Sequence, residues 1–552
     1  MIGPIPMLLS KNQLWVGTIG ILGLALTSTV LSTSEPSHAQ TIAGTAPNTM
    51  SHTRHDEPLG LFQHADFELI TGTCNDCGVL QPALWYFQHE VIAIPKTTET
   101  SQSSTPLPFL IWLGSPEVLH HAQLDQAASD IILNNGENIP LQLTPQIPLN
   151  RSFYDHTTVQ YFQNQPLRLR GHFQTSEGSP TFVARMIWPE HFRLEPHPRP
   201  HESSATPPSL ADLIEGQDGG ATAPFLTQRL WERQAGNSQD WSNRAVLGFM
   251  LNGAQGDDDE AHGGHFGLVT GRVGPEGQMA NWMMNNFYDL DMESEKGIIP
   301  SMLPLDHYLM DLNSGQSYYR PSYLLVAILR EDRLAQAVQA SVQQVFTELY
   351  QHDFLYDHTK ANCTGLSIDV LRRLGWTIPT KGPTSYLKPT GAFYYVAATE
   401  QSLTAGEKMY DYLTEEQTRL FPRMAFETAG QDLLRILQGT AESTERTLTQ
   451  FERDLKDDIE AVVFIRIPQI PSSRAFGTYP VLTFDDYQKR VPKDRSDWQI
   501  VPVSPRPIPE ALKERSLANA QSSFFTPTMM FVVIPTSMVC IFILFTLVRL
   551  IR

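Results

Sequence analysis

"DFLYDHTKANCTGLSIDVLRRLGW", residues 353–376, sets a thiol at the entrance to a helix. Leu366, Val370, Leu371 and Leu374 recur at helical spacing, and Gly375 follows as a stop. Asn362 stands where an N-cap belongs, so Cys363 falls in the first turn. The N–H groups of a first turn are unpaired and carry partial positive charge. They stabilise a thiolate and can later hold an oxyanion formed on a substrate. The ordinary alternative for a lone cysteine is a small buried hydrophobe. Just upstream, "EDRLAQAVQASVQQVFTELYQ" (331–351) puts Leu334, Val338, Val342, Phe346 and Leu349 on one face and predicts a second helix.

A nucleophilic thiol needs a base. "AHGGHFGLVTGRVGPEGQMANWMMNNFYDLD" (261–291) reads as two strands joined by a tight turn at Gly274 to Gly277. That register pairs Val269 with Trp282 and His265 with Asn286, and opposed residues share one face of a sheet. A slip of one residue brings in Asn285 instead. An imidazole with an amide oxygen on the next strand is the arrangement that orients a base toward a thiol. Taken singly, His265 is a surface strand histidine and the two asparagines are strand-edge residues; with Cys363 the catalytic reading is the stronger. His262 lies in a loop, and His307 and His358 in irregular segments. His358 precedes the helix with no strand to hold it.

In chain order the set is histidine, polar residue, then a cysteine opening a helix. That order resembles the circularly permuted papain-like thiol enzymes. "GGHFGLVTG", followed by "MNNFYDLD", is similar to the strand pair around the active histidine of the bacterial lipoprotein N-acyltransferase (Lnb-type) family. "HDFLYDHTKANCTGLSIDVLRR" resembles that family's aromatic approach to its Asn-Cys pair, with the residues "HTKA" as a departure. The resemblance spans 263–376. It implies Cys363 as nucleophile, His265 as base and Asn286 or Asn285 as orienter. It also implies acyl transfer or hydrolysis through a thioester on lipid or lipoprotein acyl groups. A peptidoglycan endopeptidase of NlpC type and a catalytically idle binding module are the alternatives.

Both ends of the chain address a membrane. Lys11 precedes an uncharged run from Leu14 to Leu31, and Ser37 and Ala39 stand where signal peptidase reads, predicting a signal peptide over 1–39. Met529 to Val548 carries no charge and is long enough to span a bilayer, with Arg549 and Arg552 behind it on the cytoplasmic side. The body is therefore expected outside the cytoplasm, in the periplasm, on a single C-terminal anchor at 526–550. A net charge of −19 argues against nucleic acid as a partner. The substrate is expected in the membrane, and no cofactor is implied.

The fold class expected is α+β. A flexible leader (40–59) precedes a small β-rich domain (60–194), in which "ALWYFQHEVIAI", "PFLIWLG", "LRLRGHFQ" and "TFVARMIW" read as strands. A linker with a helix around Ala223 to Gln234 occupies 195–240. The permuted papain-like core follows at 241–385, then a helical extension at 386–475 and a Pro-rich stalk at 476–525. "GTCNDCG" sets Cys74 and Cys77 two residues apart, as a short-loop disulfide. The acidic run "GDDDEAHGGH" lacks the alternation of a calcium loop and reads as a solvated face, so no metal is expected.

Overall fold

The computed structural model describes residues 53–54 and 57–473, apart from 76, 97–109, 146–153, 177–178, 196–198, 201–208, 217, 235–239, 255–262, 291–297, 384–385 and 443–445. The expected signal peptide, stalk and C-terminal span lie outside the described residues. Among those described, no helix is long and apolar enough to cross a membrane.

The N-terminal region is β-rich and divides into two units. β1 (Thr53–Arg54) edges the second of them. The first is an antiparallel sheet of β2 (Phe67–Thr71), β3 (Val91–Pro95) and β4 (Ile111–Gly114), with helix α1 (Gln81–Tyr86) between β2 and β3. Residues 83–86, expected to be extended, belong to that helix. Pro82 presets its first turn, and Ala83, Leu84 and Tyr86 turn inward at helical spacing. In the second unit β5 (Glu117–Leu124), β6 (Asp130–Ile132) and β7 (Asn138–Leu143) form a meander. Helix α2 (His156–Phe162) then crosses to a hairpin of β8 (Leu167–Ser176) and β9 (Ser179–Pro189). Because β9 pairs with β7 and β8 pairs with β5, the five strands close into a barrel. Leu119, Ile131, Ile139, Leu169, Phe182 and Ile187 are buried there.

The remaining elements surround one large sheet. β10 (Arg199–Pro200), helix α3 (Leu210–Glu215) and β11 (Leu226–Glu232) lead into β12 (Ala245–Asn252), β13 (His265–Arg272), β14 (Met283–Asn286) and β15 (Ser301–Pro304). Helix α4 (Leu305–Met310), β16 (Ser322–Leu329), α5 (Arg333–Tyr350) and α6 (Cys363–Arg373) follow. Then come α7 (Leu387–Thr399), α8 (Leu403–Thr414), α9 (Gln417–Leu420), α10 (Pro422–Leu437), α11 (Gln450–Asp458) and β17 (Ile459–Ile467). The sheet order is β10-β11-β17-β16-β12-β13-β14-β15, antiparallel except between β10 and β11. β12 and β16 are buried along their whole length. Such strands read as unbroken apolar runs, not as alternating ones. Helices α5, α6 and α10 pack on β13, and α4 ties the sheet to barrel strand β9.

Three expectations need correction. Residues 226–232, read within a helix, form β11. Their partner β17 supplies a ladder of hydrogen bonds, and tertiary pairing outweighs weak local preference. The stretch 386–475, read as helical, ends in β17, which lies inside the central sheet between β11 and β16. The β13–β14 register is shifted by two: Val269 faces Met284 and Thr270 faces Met283, instead of Val269 facing Trp282. The turn itself is in place, since the Gly277 N–H donates to Gly274 O at 3.0 Å. Gly277 has φ +85°, and a Cβ there would lie 2.0 Å from Leu194 O. The additional residues are taken up by a second bend at 279–282, where Trp282 N donates to Met279 O. The Trp282 indole is pinned by Nε1–H donating to Arg272 O at 2.6 Å.

The β-rich region is locked to the sheet by buried charge. Arg168 and Arg170 of β8 both reach Asp306 of α4, the latter at 2.8 Å. Arg168 also pairs with Glu57 at 2.6 Å, and Asn281 accepts from both guanidinium groups. Beside them Arg185 of β9 bridges Asp311 (2.7 Å) and Glu90 (2.6 Å). Burial favours the neutral form of Asp306, but Arg170 and Arg168 hold its carboxyl below the usual range. Buried His307 goes the other way: desolvation lowers it to about 4, so it stays a neutral ring near Trp112 O.

Removing one partner from such a network strands the others without water. Asp306→Ala removes the buried carboxylate that Arg168 and Arg170 share, leaving two buried cations short of counter-charge, and should cost about 3–5 kcal/mol of unfolding free energy. Arg193→Ala, which breaks an exposed pair with Glu276, should cost less than ~1 kcal/mol. Urea unfolding followed by tryptophan fluorescence measures both.

Candidate active site

The helix that carries Cys363 begins as its sequence requires. Asn362 is the N-cap, with Oδ1 accepting from Gly365 N at 2.7 Å. Its Nδ2 donates to His358 O (2.9 Å) and Leu420 O (3.3 Å), fixing the helix start to the approach segment and to α9. The far end is clamped as well. Trp376 Nε1–H donates to Asp432 of α10 at 2.8 Å, and Glu452 of α11 accepts from Thr377 N and Oγ1.

That placement sets the thiol against the first residues of β13. Cys363 and His265 are each only 7% exposed. Burial raises the thiol pKa, but the His265 imidazole beside it, the Phe266 N–H and the Thr364 hydroxyl bring it down to about 6. Thr364 Oγ1 lies 3.8 Å from the sulfur. These neighbours favour the thiolate, which is the nucleophilic form of a cysteine. The Cys363 N–H donates to Tyr356 Oη at 3.1 Å, where an oxyanion at the helix start would sit. Tyr356 packs with Tyr288 and His358, ring centres 6.3 Å and 5.4 Å away, as an aromatic rim.

The two asparagines occupy different positions from each other. Asn285 faces the helices: its Oδ1 accepts from Leu268 N and its Nδ2 donates to Ser367 Oγ of α6 at 3.3 Å. It holds the Cys363 helix to the strand pair and does not orient the base. Asn286 falls on the His265 side of the sheet by strand parity and pairs with Ser301 of β15. Among the described residues no hydrogen bond joins Asn286 to the ring. His265 Nε2 is buried with no hydrogen-bond partner.

The strand neighbour of His265 is Asn252 of β12, which the sequence reading passes over. Asn252 is fully buried, donating to Ser322 Oγ at 2.8 Å and accepting from the Tyr308 hydroxyl. The Tyr308 ring lies 6.2 Å from the imidazole. Burial raises the Tyr308 pKa and holds the hydroxyl neutral, with Arg320 opposing it and Cys363 adding to it. The alternative bases lie elsewhere: His307 is sealed against Trp112, and His358 is on the rim. Only the pairing of β12 with β13, which no local window of sequence contains, brings Asn252 beside His265.

Cys74 and Cys77 are not joined: both are free thiols, a correction to the disulfide expected from their spacing. They do touch. Burial, and a hydrogen bond with Cys74 that favours the protonated Cys77 thiol, raise the Cys77 pKa. Among the described residues no group of three His, Cys, Asp or Glu is arranged to hold a metal ion.

The thiol's acidity is measurable. Iodoacetamide alkylation of Cys363 should rise with pH around a midpoint near 6 and level off by neutrality. His265→Ala should move that midpoint up toward the ordinary thiol value of about 8.5. A wild-type midpoint above 8 would remove the activated thiol. No protein-family model matches the chain, and neither a curated protein nor a solved structure is significantly similar to it.

Proposed function

We propose that the chain is a cysteine acyltransferase or hydrolase that works through a thioester, with the permuted order of a papain-like enzyme. The observation that carries this reading is the buried Cys363 thiol, brought down to about 6 beside His265 at a helix start. In the reaction the thiolate attacks an acyl carbonyl, and the carbonyl oxygen takes the negative charge. The Cys363 N–H holds that oxygen once Tyr356 Oη gives up its place. His265 gives a proton to the departing amine or alcohol, and the C–N or C–O bond breaks to leave the thioester. An acceptor amine or water, deprotonated by His265, then attacks and releases Cys363.

The unpartnered Nε2 of His265 supports the same reading. A buried polar atom left without a partner costs roughly 1–3 kcal/mol. In a site beside a thiol, an unpartnered buried nitrogen is free to meet a group of the substrate. Lipid or lipoprotein acyl groups are the substrate class that suits a body carried by the uncharged run Met529 to Val548.

The protein incubated with vesicles holding a diacylated lipopeptide should give a Cys363 adduct of acyl mass, labile to hydroxylamine, seen by intact-mass spectrometry. Cys363→Ala and His265→Ala should each lower turnover at least ~10³-fold, and the double variant should be little worse than either. Release of muropeptides from cell wall with no acyl adduct would transfer the site to peptidoglycan. Neither product from an alkylation-competent protein would make the domain a binding module.

A further inference from the structure

Helix α7 is apolar on the face it turns outward as well as on the face it buries. Inward, Pro389, Ala392 and Val396 are covered. Phe393 and Ala397 come close to Gly406 of α8, where a Cβ would lie 2.9 Å from the Ala397 Cβ. Outward, Leu387, Tyr394 and Tyr395 repeat at helical spacing, with Leu387 83% exposed and Tyr394 60%. Tyr386 extends this patch from one side, and Leu403, at the start of α8, is 74% exposed. Residues 386–399 hold one charged side chain, Lys388, in a chain of net charge −19. A surface helix normally keeps a charged outer face, and an apolar helix surface of this kind needs cover.

The hairpin also adjoins the approach to the thiol. Asp411 of α8 pairs with Lys360 Nζ at 2.7 Å, three residues ahead of Cys363. Arg419 of α9 donates to Lys360 O at 3.0 Å and grips Asp369 of α6. On that approach Leu355 is exposed too.

We propose that the α7–α8 hairpin is an interfacial docking element that seats the body on a phospholipid bilayer. On α7, tyrosine and leucine with Lys388 as the one charge match the boundary between headgroups and acyl chains, where amphipathic rings are favoured, while Glu407 and Lys408 of α8 are exposed beside it. The chain itself carries an uncharged run, Met529 to Val548, of the length that spans a bilayer. A bilayer against α7 brings lipid acyl groups next to the segment that leads into Cys363. The inference rests on the acyl-transfer reading for its substrate, while the docking itself needs no chemistry.

The full chain reconstituted in phosphatidylcholine–phosphatidylglycerol vesicles carrying a diazirine phospholipid tests it. After irradiation, peptide mapping should find lipid adducts on 386–398 and 403, and not on exposed Ile132 of the barrel strand β6. Leu387→Glu with Tyr394→Glu should lower those adducts at least ~10-fold, since each carboxylate opposes insertion. The same variant should leave the Cys363 alkylation midpoint unchanged, which shows that the fold and the thiol are intact. Adducts on the hairpin without any acyl transfer would keep the docking element and remove the lipid acyl reading. Acyl transfer from vesicles with no hairpin adducts would overturn the docking element alone. Hairpin-to-hairpin protein cross-links in place of lipid adducts would overturn it in favour of a second copy of the chain.

Discussion

The start of α6 pressed against the first residues of β13 is the contact on which the acidity of the Cys363 thiol depends. A thiol at a helix start is acidified only if the helix cannot tilt and the imidazole beside it cannot leave. The helix is therefore held at three places. Asn362 ties its first turn to residues 358 and 420, Asn285 ties its middle to β13, and Trp376 with Thr377 ties its end to α10 and α11. Each tie is a buried or half-buried hydrogen bond. The sheet underneath cannot shift either, because β12 and β16 are packed on both faces.

Dry surroundings work against charge unless charge meets charge. The same rule operates twice in this molecule with different results. At Cys363 burial alone would keep the thiol protonated, and the imidazole, with a backbone N–H, reverses that. At Asp306 burial alone would protonate the carboxyl, and two guanidinium groups reverse it. The first arrangement leaves the Nε2 of His265 without a hydrogen-bond partner. The second engages its charges with one another and with Asn281, and it joins the barrel to the sheet. His307 shows the outcome when desolvation wins, a neutral ring in the core.

Sequence periodicity reached the local elements well. The α6 boundaries, the Asn362 cap and the α5 face follow from spacing that a helix repeats every 3.6 residues. The pairing of a histidine-bearing strand with a cysteine-bearing helix was legible because both lie in strongly patterned segments. The strand register was not. A turn at Gly274 to Gly277 suggests one pairing, and Trp282 folding back onto Arg272 O moves it by two residues. A shift of two keeps every side chain on its face, so Asn286 stays on the His265 side while losing the expected position opposite it.

The sequence by itself determined that a thiol opens a helix, that a histidine opens a strand, and that the body is acidic with apolar runs near both ends. These are properties of short windows, and a window carries its own periodicity and charge. Only the tertiary structure decided that β11 and β17, more than 200 residues apart in the chain, share one ladder. It also decided that Asn252 stands beside His265, that Asn285 serves the helix, and that Arg168 and Arg170 reach Asp306. Those partners are chosen by which surfaces remain to be buried once the elements meet, and no local window contains that information.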